Sequence, residues 1–337
     1  MPDAQPEVSV IVVAYRRLDL VERAVASVLA STGIDLEVVV VNNDRGLPVG
    51  AWAATVGDAR LSVVEAGFNS GYAGGVNRGV AASRGRYVFF QNQDLTVAPD
   101  HLAQLTAFME AHPRAGAASG KILRSGGEAP MIDTAGIFMK RHRGAYDRGE
   151  GTPDVGQFDT VSEVFAASGA GFFARRSALE DVGPRGRPLD EAFFMYKEEV
   201  DLCWRLRLRG WECWYVPAAV AWHGRTSASL GGRGFVAGAR DYWRLVRARP
   251  AHVRLHSLKN QWLMLVKDAD LADVVRSPQI LVREAMLFAV TLVTSPPIAV
   301  RAVLSFLRAA PAVVRERRRV QSRRVVGRGA LAVWFRQ

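Results

Sequence analysis

The stretch VSVIVVAYRR, residues 8–17, decides the fold. Its first seven residues are apolar except for Ser9 and lack the in-out alternation of a half-exposed strand. A strand buried on both faces of a parallel sheet reads this way. The run then stops at a tyrosine and two arginines. Working outward, helical spacing follows over 20–30, and EVVVV at 37–41 is a second buried strand. A third short strand is expected over 61–64, a helix over 76–83 behind a glycine-rich turn, and a fourth strand over 86–90. This alternation predicts an α/β domain wound around a mostly parallel sheet. From 120 to 158 the pattern loosens into Gly, Pro and Arg and reads as a surface excursion. Strands over 164–174 and 211–216 should flank a helix over 197–209, closed by Gly210 in the manner of a C-cap. Beyond 231 the composition turns to Arg, Leu, Val and Ala at helical spacing, which places a boundary there.

The chain has 337 residues, 49% of them apolar, enough for a large core. A net charge of +11 calls for an acidic partner: nucleic acid, an anionic membrane or a phosphorylated substrate. Cys203 and Cys213 show neither a C-x-x-C pair nor a zinc spacing, so free thiols in a reducing compartment are expected. The first residues lack a secretion signal, and no window of about 18 uninterrupted apolar residues offers a simple spanning helix.

In doubly wound sheets the ligand lies beyond the carboxyl ends of the strands. Polar residues gather there: Tyr15 and Arg16, then Asn42, Asn43 and Asp44, then Asn69, then Asn92 and Asp94. Any one such cluster is ordinary for a loop, but four at one sheet edge favour a site. GFNSGYAGGVNRG, 67–79, opens a helix and is similar to a phosphate cradle, though it fits neither standard phosphate-loop pattern. In KEEVDLCWR, 197–205, three acids occupy the first helical turn, where the helix dipole favours negative charge. The same acids, behind the aromatic run FFMY, suit a partly desolvated general base. His223, flanked by Trp222, is either a core histidine or a metal ligand.

In their order, VSVIVVAYRR, EVVVVNND, GFNSGYAGGVNRG, FFQNQDLTV, the 167–211 stretch and AWHGRTSAS resemble a family-2 glycosyltransferase of the GT-A fold, an inverting enzyme that uses nucleotide-sugars. The MYKEEVDLCWRLRLRGW variant is similar to rhamnosyltransferases that extend a polyprenyl-diphosphate-linked sugar. The resemblance spans about residues 8–230. It implies that Val13, Tyr15, Asn42 and Asn43 hold the base and ribose, with Asn69 and Asn77 on the nucleotide side of the glycine turn. Asn43 stands beside the place of a usual aspartate. Asn92-Gln93-Asp94 occupies the place of the family's D-x-D motif, so Asp94 is the retained metal ligand and Asn92 an uncharged partner for a hydroxyl. His223 matches a histidine that completes the metal site, for Mg²⁺ or Mn²⁺, and Glu199 stands where the base is expected, with Glu198 its rival. The implied donor is dTDP-β-L-rhamnose, or otherwise a UDP-sugar, and the acceptor a lipid-linked saccharide. Residues 1–119 would form the nucleotide-sugar half, 120–230 the acceptor half, and 231–337 amphipathic, membrane-associating helices.

The segment over 285–300, broken at Thr294-Ser295-Pro296-Pro297, reads as two short helices lying in the membrane interface. Arg315, Arg317, Arg318, Arg319, Arg323, Arg324 and Arg328 follow against one Glu316, a pattern drawn to an anionic leaflet. With apolar helices ahead of them and no nucleic-acid motif nearby, a membrane surface is expected rather than nucleic acid. A non-enzymatic alternative, a basic peripheral membrane or nucleic-acid-binding protein on a decayed glycosyltransferase scaffold, is kept open by the lost acid at Asn92.

Overall fold

A computed structural model describes residues 5–126, 129–184, 186–224, 249–327 and 329–335. The boundary expected at 231 and the basic residue Arg328 lie outside the described residues. The expected α/β alternation is present: β1 (Val8–Ala14), α1 (Leu18–Leu29), β2 (Leu36–Asn42), α2 (Val49–Val56), β3 (Leu61–Glu65), α3 (Gly71–Ala82), β4 (Tyr87–Gln91). Every residue of β1 is buried. It lies between β2 and β4 and is parallel to both, as an unbroken apolar run requires.

β5 (Leu95–Val97), α4 (His101–Ala111), β6 (Ala115–Arg124), β7 (Ile132–Thr134), β8 (Ile137–Met139), β9 (Ala145–Asp147), β10 (Ser162–Glu163), β11 (Gly171–Arg175), α5 (Arg176–Val182), α6 (Glu198–Leu208) and β12 (Glu212–His223) complete the sheet domain. The main sheet runs β10-β12-β6-β11-β4-β1-β2-β3, with β5 added on β12 and β7 on β6. β11 is antiparallel to both neighbours, β4 and β6. Two apolar layers cover it: α1 and α4 on one face, α3, α5 and α6 on the other.

Three readings are corrected. The glycine-rich stretch is not a turn ahead of a helix; α3 itself starts at Gly71. A Cβ on Gly79 would fall 2.2 Å from Ile11, so close packing of α3 on β1 is what these glycines serve. The supposed excursion holds the second half of β6, an interior strand that opens on Ala, Gly and Ser, together with β7, β8 and β9; a Cβ on Gly120 would sit 1.9 Å from the Ala219 carbonyl where β12 bulges. The C-terminal helices are also not short.

After residue 248 come α7 (Ala251–Asp268), α8 (Leu271–Arg276), α9 (Pro278–Thr294), α10 (Pro296–Ser322) and a 3-10 helix (Ala330–Phe335). The break falls at Ser295 as expected, but Pro296 and Pro297 open α10 rather than interrupt it. α10 is long and apolar enough to cross a membrane by length and composition alone. A few charges inside it hid this from a search for uninterrupted apolar residues. Leu263, Met264 and Val313 join the sheet domain's core. Two of the expected headgroup arginines turn inward: Arg317 donates to the Val266 and Ala269 carbonyls, and Arg324 pairs with Asp270.

Candidate active site

β4 ends at Gln91, and the chain turns through Asn92, Gln93 and Asp94 before β5. Pairing of β5 with β12 sets His223 opposite Leu95, which brings the imidazole to the preceding carboxylate. Nε2 of His223 lies 3.1 Å from Oδ1 of Asp94, and Nδ1 lies 2.9 Å from Oδ2 of Asp133 on β7. Burial works against the imidazolium, but the hydrogen bonds and charges of Asp133 and Asp94 outweigh it and lift His223 to about 9. Asp133 escapes a reading of the sequence. It lies inside the supposed excursion, and only the pairing of β7 with β6 shows it buried.

Asp94 and His223 fit a divalent cation. A hard carboxylate stands beside an imidazole whose other nitrogen is held by a buried acid, the arrangement that fixes ligating histidines. Among the described residues no group of three His, Cys, Asp or Glu side chains forms a ready metal cluster.

Glu199 reaches the same region from α6. A Cβ on Gly169 would meet Glu199 Cγ at 3.1 Å and Cδ at 3.2 Å, so the side chain packs on the bare Cα of Gly169. Tyr72 donates to the Gly169 carbonyl at 3.2 Å, and the next carbonyl, Ala170, accepts from the Asn92 N–H at 2.9 Å. Burial, then the negative charges of Glu198, Glu199 and Asp94, push the Tyr72 phenol well up. Glu199 is held above the usual glutamate range by burial, opposed by backbone N–H groups and Lys197. Glu198 is raised further, by burial and then by the charge of Glu199. Asp201 is not part of this group; it is spent on buried ion pairs with Arg205 at 2.9 Å and Lys267 at 2.5 Å.

The loop that delivers Glu199 is strained. Phe194, Tyr196 and Lys197 adopt φ of 66°, 70° and 70°, a region that costs non-glycine residues on the order of 1–3 kcal/mol each. Asn260 on α7 holds it: fully buried, its Nδ2 lies 3.0, 2.8 and 2.7 Å from the carbonyls of Phe193, Met195 and Tyr196. No sequence signal marked Asn260, because its partners lie more than sixty residues away and are backbone atoms.

The other expected site residues line the strand ends, with their polar atoms largely engaged inside the protein. Val13 packs against Gly75 of α3. The Tyr15 N–H and carbonyl are clamped by the Gln93 amide at 2.9 and 3.0 Å, which ties the end of β1 to the Asp94 turn. Asn42 donates to the Leu47 carbonyl and Glu65. Asn43, also buried, donates to the Gly71 carbonyl at 3.0 Å and accepts from the Ser70 N–H and hydroxyl. Asn69 is exposed and accepts from the Gly71 N–H. Asn77 bridges α3 to Leu189 and Glu191. Asn92 is half-buried beside Asp94.

The family model for glycosyl transferase family 2 matches residues 9–183. The chain is 36% identical over 103 residues to the succinoglycan biosynthesis protein ExoO of Rhizobium meliloti (strain 1021), an alignment taking in 31% of this chain and 30% of that relative. The chain therefore matches under a third of that relative's length. It is 29% identical over 251 residues to the N-acetylglucosaminyl-diphospho-decaprenol L-rhamnosyltransferase of Mycobacterium tuberculosis (strain CDC 1551 / Oshkosh), covering 66% of this chain and 76% of the relative. Among solved structures, GalNAc-T7 with UDP, GalNAc and Mn²⁺ superposes with a TM-score of 0.55 at 14% identity, over 66% of this chain and 44% of that one. The mannosyltransferase PcManGT from Pyrobaculum calidifontis, in complex with GDP-Man and Mn²⁺, gives 0.50 at 18% identity, over 100% and 89%. These likenesses establish the GT-A fold. With the family match running from β1 past α5, over more than half of the sequence, the chain belongs to glycosyl transferase family 2.

Proposed function

We propose that this protein is an inverting glycosyltransferase that moves a sugar from a nucleotide donor to a lipid-linked saccharide in cell-envelope polysaccharide assembly. The observation that carries this reading is that Asp94 lies 3.1 Å from its partner His223 while Glu199 packs on Gly169, whose carbonyl accepts from Tyr72, and both carboxylates act on that phenol. Asp94 and His223 would hold Mg²⁺ or Mn²⁺, which would neutralise charge developing on the departing nucleoside diphosphate. The imidazole tilts the preference toward Mn²⁺. Asn92 bonds a hydroxyl of the sugar or ribose. Tyr15 and Asn69 face the nucleotide, while Val13, Asn42, Asn43 and Asn77 shape its cradle from behind, since their side chains pack or bond within the protein. Glu199 takes the proton from the acceptor hydroxyl as that oxygen attacks the anomeric carbon from the face opposite the leaving group. Such a base contributes roughly a hundredfold to ten-thousandfold. A β-linked donor then gives an α-linked product.

dTDP-β-L-rhamnose is the favoured donor, in keeping with the rhamnosyltransferase among the relatives. Residues 1–230 would be the catalytic part and 231–337 the part that associates with the cytoplasmic face of the membrane. Exposed apolar side chains along α9 and α10, among them Val282, Met286, Val293, Val300, Leu304 and Leu307, support this, as do the exposed Arg315 and Arg318. The test is a donor screen with Mn²⁺ and a short polyprenyl-diphosphate-GlcNAc, read by mass. A product one deoxyhexose heavier is expected from dTDP-rhamnose. Transfer only from UDP-hexoses would overturn the donor, and transfer from no nucleotide-sugar would overturn the function.

A further inference from the structure

Glu199 lies beside a group of cations that the chemistry above does not use. Lys197 donates from Nζ to Oε1 of Gln261 at 2.5 Å, and Gln261 donates to the Arg143 carbonyl at 2.8 Å. These bonds hold the ammonium against the tip of the β8–β9 hairpin. At that tip Gly144 presents a bare Cα. A Cβ there would fall 2.6 Å from Cε1 of His142 and 3.2 Å from Nη2 of Arg283, so the ring and the guanidinium converge over one patch of backbone. The Gly144 N–H donates to His142 Nδ1 at 3.1 Å, which leaves the ring proton on Nε2 as a donor. Glu284, itself held by Trp262, forms an ion pair with Nη1 of Arg283, so it is Nη2 that faces the Gly144 patch.

The cations in this group weaken one another. Burial, then the charge of Arg283, bring Lys197 down to about 8, with Arg249 adding to the effect against Glu284 and Glu199. Burial, then Arg283, Lys140 and Lys197, bring His142 down to about 4. His142 is thus a neutral donor, and the like charges of Lys197 and Arg283, held together in a partly desolvated place, are stabilised by an anion between them. A guanidinium fork, an ammonium and an imidazole N–H are donors suited to phosphate oxygens.

We propose that Lys197, His142 and Arg283 bind the diphosphate linker of the acceptor. The proposal rests on the reading that the acceptor is a diphosphate-linked saccharide on a lipid. Its support is the order of groups. Such an acceptor presents hydroxyl, sugar ring, diphosphate and hydrocarbon in sequence. The protein presents Glu199, then Lys197 two residues away, then Arg283, then the exposed Val282 and Met286 that flank Arg283 on α9. The donor's own diphosphate belongs to Asp94 and His223, so this second set of cations has a different phosphate to meet.

The test uses the full-length protein and two variants, Arg283→Gln and His142→Gln, each checked for an unchanged melting temperature. Inorganic pyrophosphate binding is measured by calorimetry in EDTA, which silences a metal-dependent donor site. Each variant should weaken it about tenfold, the size of one charge-assisted hydrogen bond. In transfer assays the ratio of KM values for octyl β-GlcNAc and short-prenyl-diphosphate-GlcNAc should fall about tenfold in Arg283→Gln. Unchanged pyrophosphate affinity or an unchanged KM ratio would overturn the proposal. So would loss of binding to phosphatidylglycerol vesicles with the KM ratio intact, which would make the cations a headgroup site. A wild type that binds pyrophosphate through Arg283, yet uses neither acceptor while hydrolysing donor, would refute the acceptor reading and leave the anion site standing.

Discussion

Nδ1 of His223 meets the buried carboxylate of Asp133 at 2.9 Å, while Nε2 of the same ring faces Asp94 at 3.1 Å. One acid thus fixes which nitrogen is left for the other side of the ring. Asp133→Asn keeps the shape and removes the charge. It should weaken Mn²⁺ binding in the presence of nucleotide about ten- to a hundredfold, as loss of an outer partner typically does. Mn²⁺ titration followed by electron paramagnetic resonance reads this directly, and unchanged affinity would show that Asp133 has only a packing role.

The same pair of bonds makes stability depend on pH in metal-free protein. His223 is lifted from its ordinary value near 6.5 to about 9 in the fold. A raised folded value means that the contribution is fully present below about 6.5 and is lost as pH rises toward 9. With EDTA present, melting temperature should therefore fall between these limits by more in wild type than in His223→Gln. Parallel curves for the two proteins would contradict the assignment.

The contrast between β1 and β6 shows why the sheet was legible only in part. VSVIVVA announces itself through β-branched residues buried on both faces. AGAASGKILR carries the same burial in small side chains of low strand propensity, because β12 approaches too closely for larger ones. The site divides the same way. Asp94, His223 and Glu199 stood at strand ends or in a first helical turn, where chemistry-bearing residues are visible. Asp133, Gln93, Tyr72 and Asn260 act through partners far away in sequence, many of them backbone atoms, and nothing local marks them. Asn42 and Asn43 looked like strand-end amides and Asn77 like an amide of the glycine turn, and only the fold shows their hydrogen bonds turned inward.

Asn260 should matter to turnover more than to donor binding. Asn260→Ala strips a donor from the carbonyls around the left-handed residues Phe194, Tyr196 and Lys197, costing roughly 1–3 kcal/mol of stability. Asn260→Asp should be worse, because a carboxylate would face carbonyl oxygens. Both variants should keep nucleotide affinity and lose kcat. An Asp variant as active as wild type would remove the loop from the account.

The exposed stripe on α9 and α10 offers a membrane test that leaves the core alone. Val293 and Leu304 are 73% and 45% exposed. Val293→Asp with Leu304→Asp should leave melting temperature unchanged and reduce co-sedimentation with anionic liposomes several-fold. Equal sedimentation would place the contact elsewhere.

The central claim is that Glu199 is the base, and single-turnover transfer by Glu199→Gln tests it most directly. The variant should bind donor as wild type does and lose the transfer step by roughly a hundredfold to ten-thousandfold. Glu198→Gln should retain most of it. In wild type the acid limb of the rate should lie above the ordinary glutamate range, because burial raises Glu199 and activity falls as pH drops through that value. An inactive Glu198→Gln beside an active Glu199→Gln would contradict the account.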